Sequence, residues 1–290
     1  MTTSIPNYVQ TKLGPRRTEK WLRTRLGTLG LLLQAPESKK KSLTSPKRRI
    51  IAHRTGAGGV AEKENQIATG EKAVAAGASI EGDVVQLRDG TIVVHHDLTG
   101  ARIAGDSRRL AEINFSEVQE WKIDVPTLRD FLLAFRSVDI SLDVKFDRES
   151  PFESQVRLVD STIEEIRKSG IEERVTLASL ESWRGALLIR SRGYRGPTAL
   201  SRPELYLLYL APWAYKRIPQ SGDVAQIPIG TAKQLGRRFF QICQRYDLRS
   251  HVWGVEDART AKMLFDMGSD LVETDHPERV LAGLSALGLD

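Results

Sequence analysis

Two stretches, IAHRTGAGGVAEKEN (51–65) and GASIEGDVVQLRDGTIVVHHD (77–97), decide how the chain is read. Residues 49–54 form a short apolar run that ends on His53-Arg54 and opens into a glycine-rich loop, as a buried strand does. A helix is expected over 65–76. Residues 78–83 are a second strand that continues through 84–87 to Arg88-Asp89-Gly90 and returns along 91–95. An Asp-Gly pair between apolar runs is a hairpin signal. Strand, helix, strand, with histidines and carboxylates collected at strand ends, is the grammar of an α/β enzyme.

Outward from these stretches the alternation persists. A helix is expected over 127–136 after Pro126, with further strands at 140–146, 175–179, 198–201, 224–229, 251–256 and 271–274. Helical segments are expected around 152–168, 182–191, 203–215, 232–246 and 258–267. With the hairpin set aside as an extension after strand 2, eight strands alternate with helices. That pattern predicts an α/β fold, a (β/α)8 TIM barrel over residues 49–290.

The chain has 290 residues, 40% of them hydrophobic, which excludes a wholly disordered protein. Its one cysteine, Cys243, excludes an internal disulfide and cysteine-rich zinc modules. No apolar run is long enough for a membrane-spanning helix, and the reading is a soluble, cytoplasmic protein. The +6 net charge is unevenly placed. Residues 1–49 carry twelve Lys or Arg against two acids, whereas 50–290 carry 31 against 35. The basic character therefore belongs to an N-terminal extension, 1–48, and no nucleic-acid partner is expected. Within it Trp21, Leu22, Leu26, Leu29 and Leu33 recur at helical spacing among basic residues over 19–34. Such a helix either packs on the main domain or lies at an anionic membrane surface.

The chemistry sits where barrel enzymes keep it, at the C-terminal ends of strands. Glu81 and Asp83 lie two apart, as do Asp143 and Lys145, so each pair faces one side of its strand. Buried carboxylates need a partner or a cation, and three of them without thiolates favour a hard divalent ion, Mg²⁺ or Ca²⁺.

These residues resemble the glycerophosphodiester phosphodiesterase family, within the phospholipase-C-like phosphodiesterases. The pattern is an HRG-like element at His53-Arg54, a PEN-like element at Glu64-Asn65, the E-x-D strand at Glu81 and Asp83, the Asp-Gly hairpin and His96-Asp97. Arg102, Pro126-Thr127-Leu128, Asp143-Val144-Lys145, the Trp253 strand and the 268–277 ending continue it in order. The resemblance implies a metal-dependent hydrolase of glycerophosphodiesters or lysophospholipids. His53 and His96 would be the acid–base pair, and Glu81, Asp83 and Asp143 the metal ligands. Arg54, Glu64, Asn65, Lys145 and Trp253 would bind substrate and phosphate. Thr55 replaces the family's usual Gly, Lys63 its Pro, and Asp143 a longer Glu; the shorter acid leans the ion slightly to Mg²⁺ over Ca²⁺. Asp97 and Arg102 would brace the hairpin, and Asp275 would cap the last helix or pair with a loop.

Two other readings compete. Residues 56–61, GAGGVA, fit G-x-G-x-x-A with an acid about 20 residues on, the skeleton of a dinucleotide-binding oxidoreductase. A non-catalytic barrel recruited to membranes by its basic extension is the other.

Overall fold

In the structure, a computed structural model, residues 49–147, 150–180, 183–215 and 222–289 are described. The extension 1–48 and its expected helix lie outside the described residues. In chain order the strands are β1 (Arg49–Ala52), β2 (Ser79–Gln86), β3 (Ile92–Val94), β4 (Thr99–Gly100), β5 (Asp106–Arg109), β6 (Ile140–Val144), β7 (Val175–Ala178), β8 (Val224–Pro228), β9 (Arg249–Trp253) and β10 (Leu271–Thr274). Parallel pairing runs β7–β6–β2–β1–β10–β9–β8. The remaining gap is closed by two single bridges, Leu177 to Thr198 and Ala199 to Val224. The expected strand at 198–201 is therefore only a two-residue stave. Pro197, which has no N–H to donate, precedes it, and Ser201 already caps the next helix. The result is the eight-staved TIM barrel of the α/β class.

The helices are α1 (Ile67–Ala75), α2 (Ala101–Ala104), α3 (Phe115–Val118), α4 (Leu128–Ala134), α5 (Phe152–Ser169), α6 (Trp183–Ser191), α7 (Arg202–Leu210), α8 (Pro212–Tyr215), α9 (Ile229–Arg245), α10 (Ala258–Met267) and α11 (Pro277–Ala286). Local chemistry sets their ends. The Thr127 side chain accepts from Asp130 N to start α4, and Asp257 does the same from Thr260 N for α10. The single helix expected over 203–215 is two, because Ala211 precedes a proline and sits at φ −141°, ψ 65°, outside the helical region.

Strand alternation sorts the core. Ile80 on β2 and Leu142 on β6 join Phe131, Leu132 and Phe135 in the apolar layer between barrel and helices. Ser79, Glu81 and Asp83 fall on the opposite face, as do Ser141 and Asp143. The hairpin β2–β3 covers its own apolar cluster of Val85, Leu87, Val93, Leu110, Ile113, Val118 and Val125. The short fifth stave is held from outside by a buried ion pair. Arg190 of α6 donates to both oxygens of Glu204 on α7 at 2.7 and 3.2 Å, to Ala199 O at 2.7 Å and to Thr198 Oγ1 at 3.1 Å.

Candidate active site at the barrel mouth

The parallel register puts the predicted residues on one rim. Asp83 lies beside Asp143, and Ala52, the residue before His53, lies beside both Ile80 and Thr274. His53, Glu81, Asp83, Asp143 and Lys145 therefore converge from neighbouring staves, and the hairpin return carries His96 to the same edge. A cavity of about 530 Å³ opens at the opposite end, among Arg49, Asp139, Arg174 and Arg249. It contains none of the predicted site residues.

Both histidines are held in the same way. His53 Nδ1 lies 2.7 Å from Asp275 Oδ1, and His96 Nδ1 lies 2.7 Å from Asp97 Oδ1. A carboxylate on Nδ1 fixes that nitrogen as the donor and leaves Nε2 to exchange a proton. Asp275 is thus a partner of His53 and does not cap the last helix, whose N-cap is His276 without a side-chain bond. Burial pulls the His53 imidazolium toward deprotonation. The Asp275 hydrogen bond and the charges of Glu81 and Glu273 outweigh it and carry the pKa to about 10. Asp275 is lowered in return, chiefly by its bond to His53. His95, which alternation turns the other way, is buried, bonds the Asp97 carbonyl through Nδ1 and packs near Trp121.

The acids divide by what answers their charge. Lys145 Nζ sits 2.9 Å from Asp83 Oδ1 and 2.7 Å from Asp143 Oδ2, and Leu180 N donates to Asp143 Oδ1 at 3.0 Å. Burial favours the neutral acid at Asp83, but Lys145, His96 and Arg54 prevail and hold it low. At Asp143 burial prevails and raises the carboxyl despite Lys145. Glu64 accepts from Arg54 at 3.2 Å and from Arg102 at 3.0 and 2.6 Å, while Arg102 Nε donates to Asp97 at 2.7 Å. Arg102 therefore ties the hairpin to the 61–65 loop as well as bracing it. Among the described residues Glu81 has only the backbone N–H of Arg54, at 2.7 Å. Burial and the like charges of Asp83 and Glu273 push its carboxyl well up.

Backbone strain serves this arrangement. Arg54 at φ 46° and Thr55 at φ 67° are left-handed, and Thr55 is a fully buried β-branched residue. The turn they make aims Arg54 N at Glu81 and brings the chain against α11. At Gly56, φ 84°, a Cβ would lie 2.6 Å from the Pro277 ring. Asn65, also left-handed at φ 60°, reaches Asp83 Oδ2 at 3.4 Å. Arg54 Nε and Asn65 Oδ1 are buried without hydrogen-bond partners among the described residues. The glycine loop does not run into a helix N-terminus, since a short 3₁₀ turn and left-handed Asn65 intervene before Ile67. In a dinucleotide fold that helix end would cradle the pyrophosphate, and the oxidoreductase reading is not supported. Trp253 ends β9 beside Pro228 and is 38% exposed.

Sequence reading missed Glu273. It lies on β10, is buried, and offers one carboxylate oxygen within 4.8 Å of donor atoms of His53 and Glu81. The only signal for it was alternation, which puts a lone acid in the apolar run 271–274 on the inward face. Oxygen donors in excess of positive charge suit a hard divalent ion. The residues present therefore fit such an ion.

Known proteins carry the same arrangement of strands and helices. A rat protein, lysophospholipase D GDPD1 of Rattus norvegicus, is 24% identical over 301 residues, covering 88% of this chain and 94% of its own. A glycerophosphodiester phosphodiesterase structure from Parabacteroides distasonis superposes with TM-score 0.68 at 18% identity, covering 84% of this chain and 99% of that one. A phosphodiesterase from Oleispira antarctica, solved with the product sn-glycerol-3-phosphate, gives 0.66 at 15% identity, over 82% and 96%. The family model of the glycerophosphoryl diester phosphodiesterases matches residues 53–279, from the first histidine of the mouth through Asp275 and into the last helix, and the chain belongs to that family.

Proposed function

We propose that this hydrolase cleaves glycerophosphodiesters to a phosphomonoester and an alcohol, with His53 and His96 as the acid–base pair. The observation that carries this reading is the matched pair of 2.7 Å Nδ1–carboxylate contacts, to Asp275 and Asp97. Each leaves an Nε2 to take a proton from the attacking hydroxyl or give one to the leaving alkoxide. Arg54 and Lys145 present positive charge to the phosphate, as a fork and as a point charge. Both are paired with acids in the structure, so an incoming phosphodiester exchanges places with carboxylates that already orient them. Glu64 and Asn65 shape the loop side of the site, and Trp253 its opposite wall. Glu81, Asp83 and Asp143 would line the site of a divalent ion, Mg²⁺ by preference over Ca²⁺. Such an ion would offset charge on the phosphoryl oxygens.

A lysophospholipid is the second substrate class, supported by the likeness to the rat lysophospholipase D. Among the described residues no helix is long and apolar enough to cross a membrane. The basic extension 1–48 would add attraction to an anionic lipid surface, with the enzyme peripheral to it.

A substrate panel from glycerophosphocholine to lysophosphatidylcholine, assayed with Mg²⁺, with Ca²⁺ and with EDTA, tests the reading. Metal-stimulated release of a phosphomonoester is expected. Absence of diester cleavage across the panel would refute it, and full activity in EDTA would refute the metal dependence alone. Cleavage of glycerophosphocholine only would refute the lysophospholipid reading. Sedimentation with anionic vesicles, compared between the full chain and one lacking residues 1–48, separates the extension's part.

A further inference from the structure

The charges at the mouth do not balance evenly, and the imbalance falls at one place. Asp83 and Asp143 share Lys145, Glu64 has Arg54 and Arg102, Asp97 has Arg102 and His96, and Asp275 has His53. Glu81 has one backbone N–H. Glu273 has His53 Nε2 at 3.9 Å from Oε1, and His251 Nε2 at 2.8 Å from Oε2 but off the hydrogen-bond line. Two buried carboxylates thus face each other across β1, with His53, itself bonded to Asp275, as the nearest group of positive charge.

Their spacing is that of ligands to one ion. Donor atoms of Glu81, Glu273 and His53 all lie within 4.8 Å of one another. Two oxygens bound to the same ion at about 2.1–2.6 Å can be no more than about 4–5 Å apart. We infer that Glu273, from the last strand, joins Glu81 as a carboxylate ligand of the divalent-ion site. This rests on the metal-dependent reading given above.

A polar chain inside the barrel runs to Glu273. Gln226 on β8 contacts His251 Nδ1 at 3.0 Å, and His251 Nε2 lies 2.8 Å from Glu273 Oε2. That oxygen is on the β9 side, and Oε1 is on the side of His53. All three residues are at least nine-tenths buried, with exposures of 5%, 2% and 6%. Polar side chains at such depth are costly unless they serve one another or a ligand. His53 keeps its acid–base role, since hard ions prefer the carboxylate oxygens and its Nδ1 is committed to Asp275.

The test is direct binding of Mg²⁺ and of Ca²⁺ to chelator-stripped full-length protein, by calorimetric titration and by the thermal shift each ion produces. Glu273→Gln should weaken affinity at least about tenfold and abolish the thermal shift. Glu164→Gln, on the exposed face of α5, should bind within about threefold of wild type. If Glu273→Gln fails to fold, Glu273→Asp keeps the charge at a shorter reach and should still weaken affinity by several-fold. Binding within threefold of wild type in a folded Glu273 variant overturns the inference and leaves the metal-dependent reading intact. A loss in Glu164→Gln as large as in Glu273→Gln overturns it too. No saturable binding by wild type overturns the metal-dependent reading and this inference with it.

Discussion

Replacing Asp275 with Asn removes one charge and almost no volume, and its consequence for His53 has a definite sign. The imidazole, with Nδ1 2.7 Å from the carboxylate, has a pKa raised to about 10 in the ion-free protein, while Asp275 is lowered. A histidine whose folded pKa exceeds its unfolded value of about 6.5 contributes stability in full below that value, and loses it as pH rises through the folded one. A carboxylate lowered by folding contributes above its unfolded pKa of about 3.9, and that part is lost as pH falls through the folded value. The pair therefore stabilises most between roughly pH 4 and 6.5, and the benefit declines toward pH 10. A hydrogen bond between charged groups is worth about 1.5–3 kcal/mol, but both side chains are about one-third exposed and water screens them. About 1–2 kcal/mol remains, or a Tm lower by about 2–8 °C in a domain of this size. Calorimetry of wild type and Asp275→Asn in EDTA from pH 5 to 10 should show that gap at pH 5–6 and its disappearance near pH 10. An NMR titration should show the His53 midpoint falling in the variant. A gap independent of pH, or an unmoved midpoint, refutes the reasoning.

Glu204→Ala should cost about 3–5 kcal/mol in urea unfolding, because it leaves Arg190 buried and charged beside the fifth stave; a loss below about 1 kcal/mol would contradict that account. His53→Ala and His96→Ala should each lower kcat at least about 100-fold with circular dichroism unchanged, and near wild-type turnover would remove that histidine from the mechanism. Glu81→Gln should raise the ion-free Tm by the equivalent of about 1 kcal/mol, as active-site substitutions that relieve buried charge do. Because folding raises the Glu81 carboxyl, that gain grows as pH rises from the unfolded value of about 4.3 toward the folded pKa, so the thermal shift should be larger at pH 8 than at pH 4.

The barrel was legible because most staves are apolar runs bounded by turn residues, and the helices between them carry their own caps. The fifth stave was overestimated at four residues, since 198–201 reads as strand by composition while Pro197 and the Ser201 cap leave room for two bridging residues. The break at Ala211-Pro212 has a sequence signal, the proline, which the apolar pattern around it masks. At the site, His53, Glu81, Asp83, His96, Asp143 and Lys145 were named and do converge, because strand alternation places them without knowledge of anything distant. What escaped depends on contacts between residues far apart in sequence. Asp275 finds His53 across 222 positions, and Lys145, to which the resemblance assigns the phosphate, lies between Asp83 and Asp143. Glu273 matters only because β10 lies beside β1, which no local pattern states.

The two-residue stave gives the barrel a seam. Around the rest of the cylinder every junction has at least two consecutive paired residues, and four or five at β1–β10, β2–β6, β6–β7 and β8–β9. Across Thr198–Ala199 each side has a single bridge, closed by hydrogen bonds such as Ala199 N to Leu177 O and Leu200 N to Val224 O. A cylinder fastened so briefly at one line opens there before it opens elsewhere, and amides 198–200 should exchange with deuterium ahead of those of β2 and β6. The Arg190–Glu204 pair acts as the clasp on that line. Because α7 leaves directly from the seam, its partial release would loosen that helix without disturbing the histidines and acids on the opposite staves.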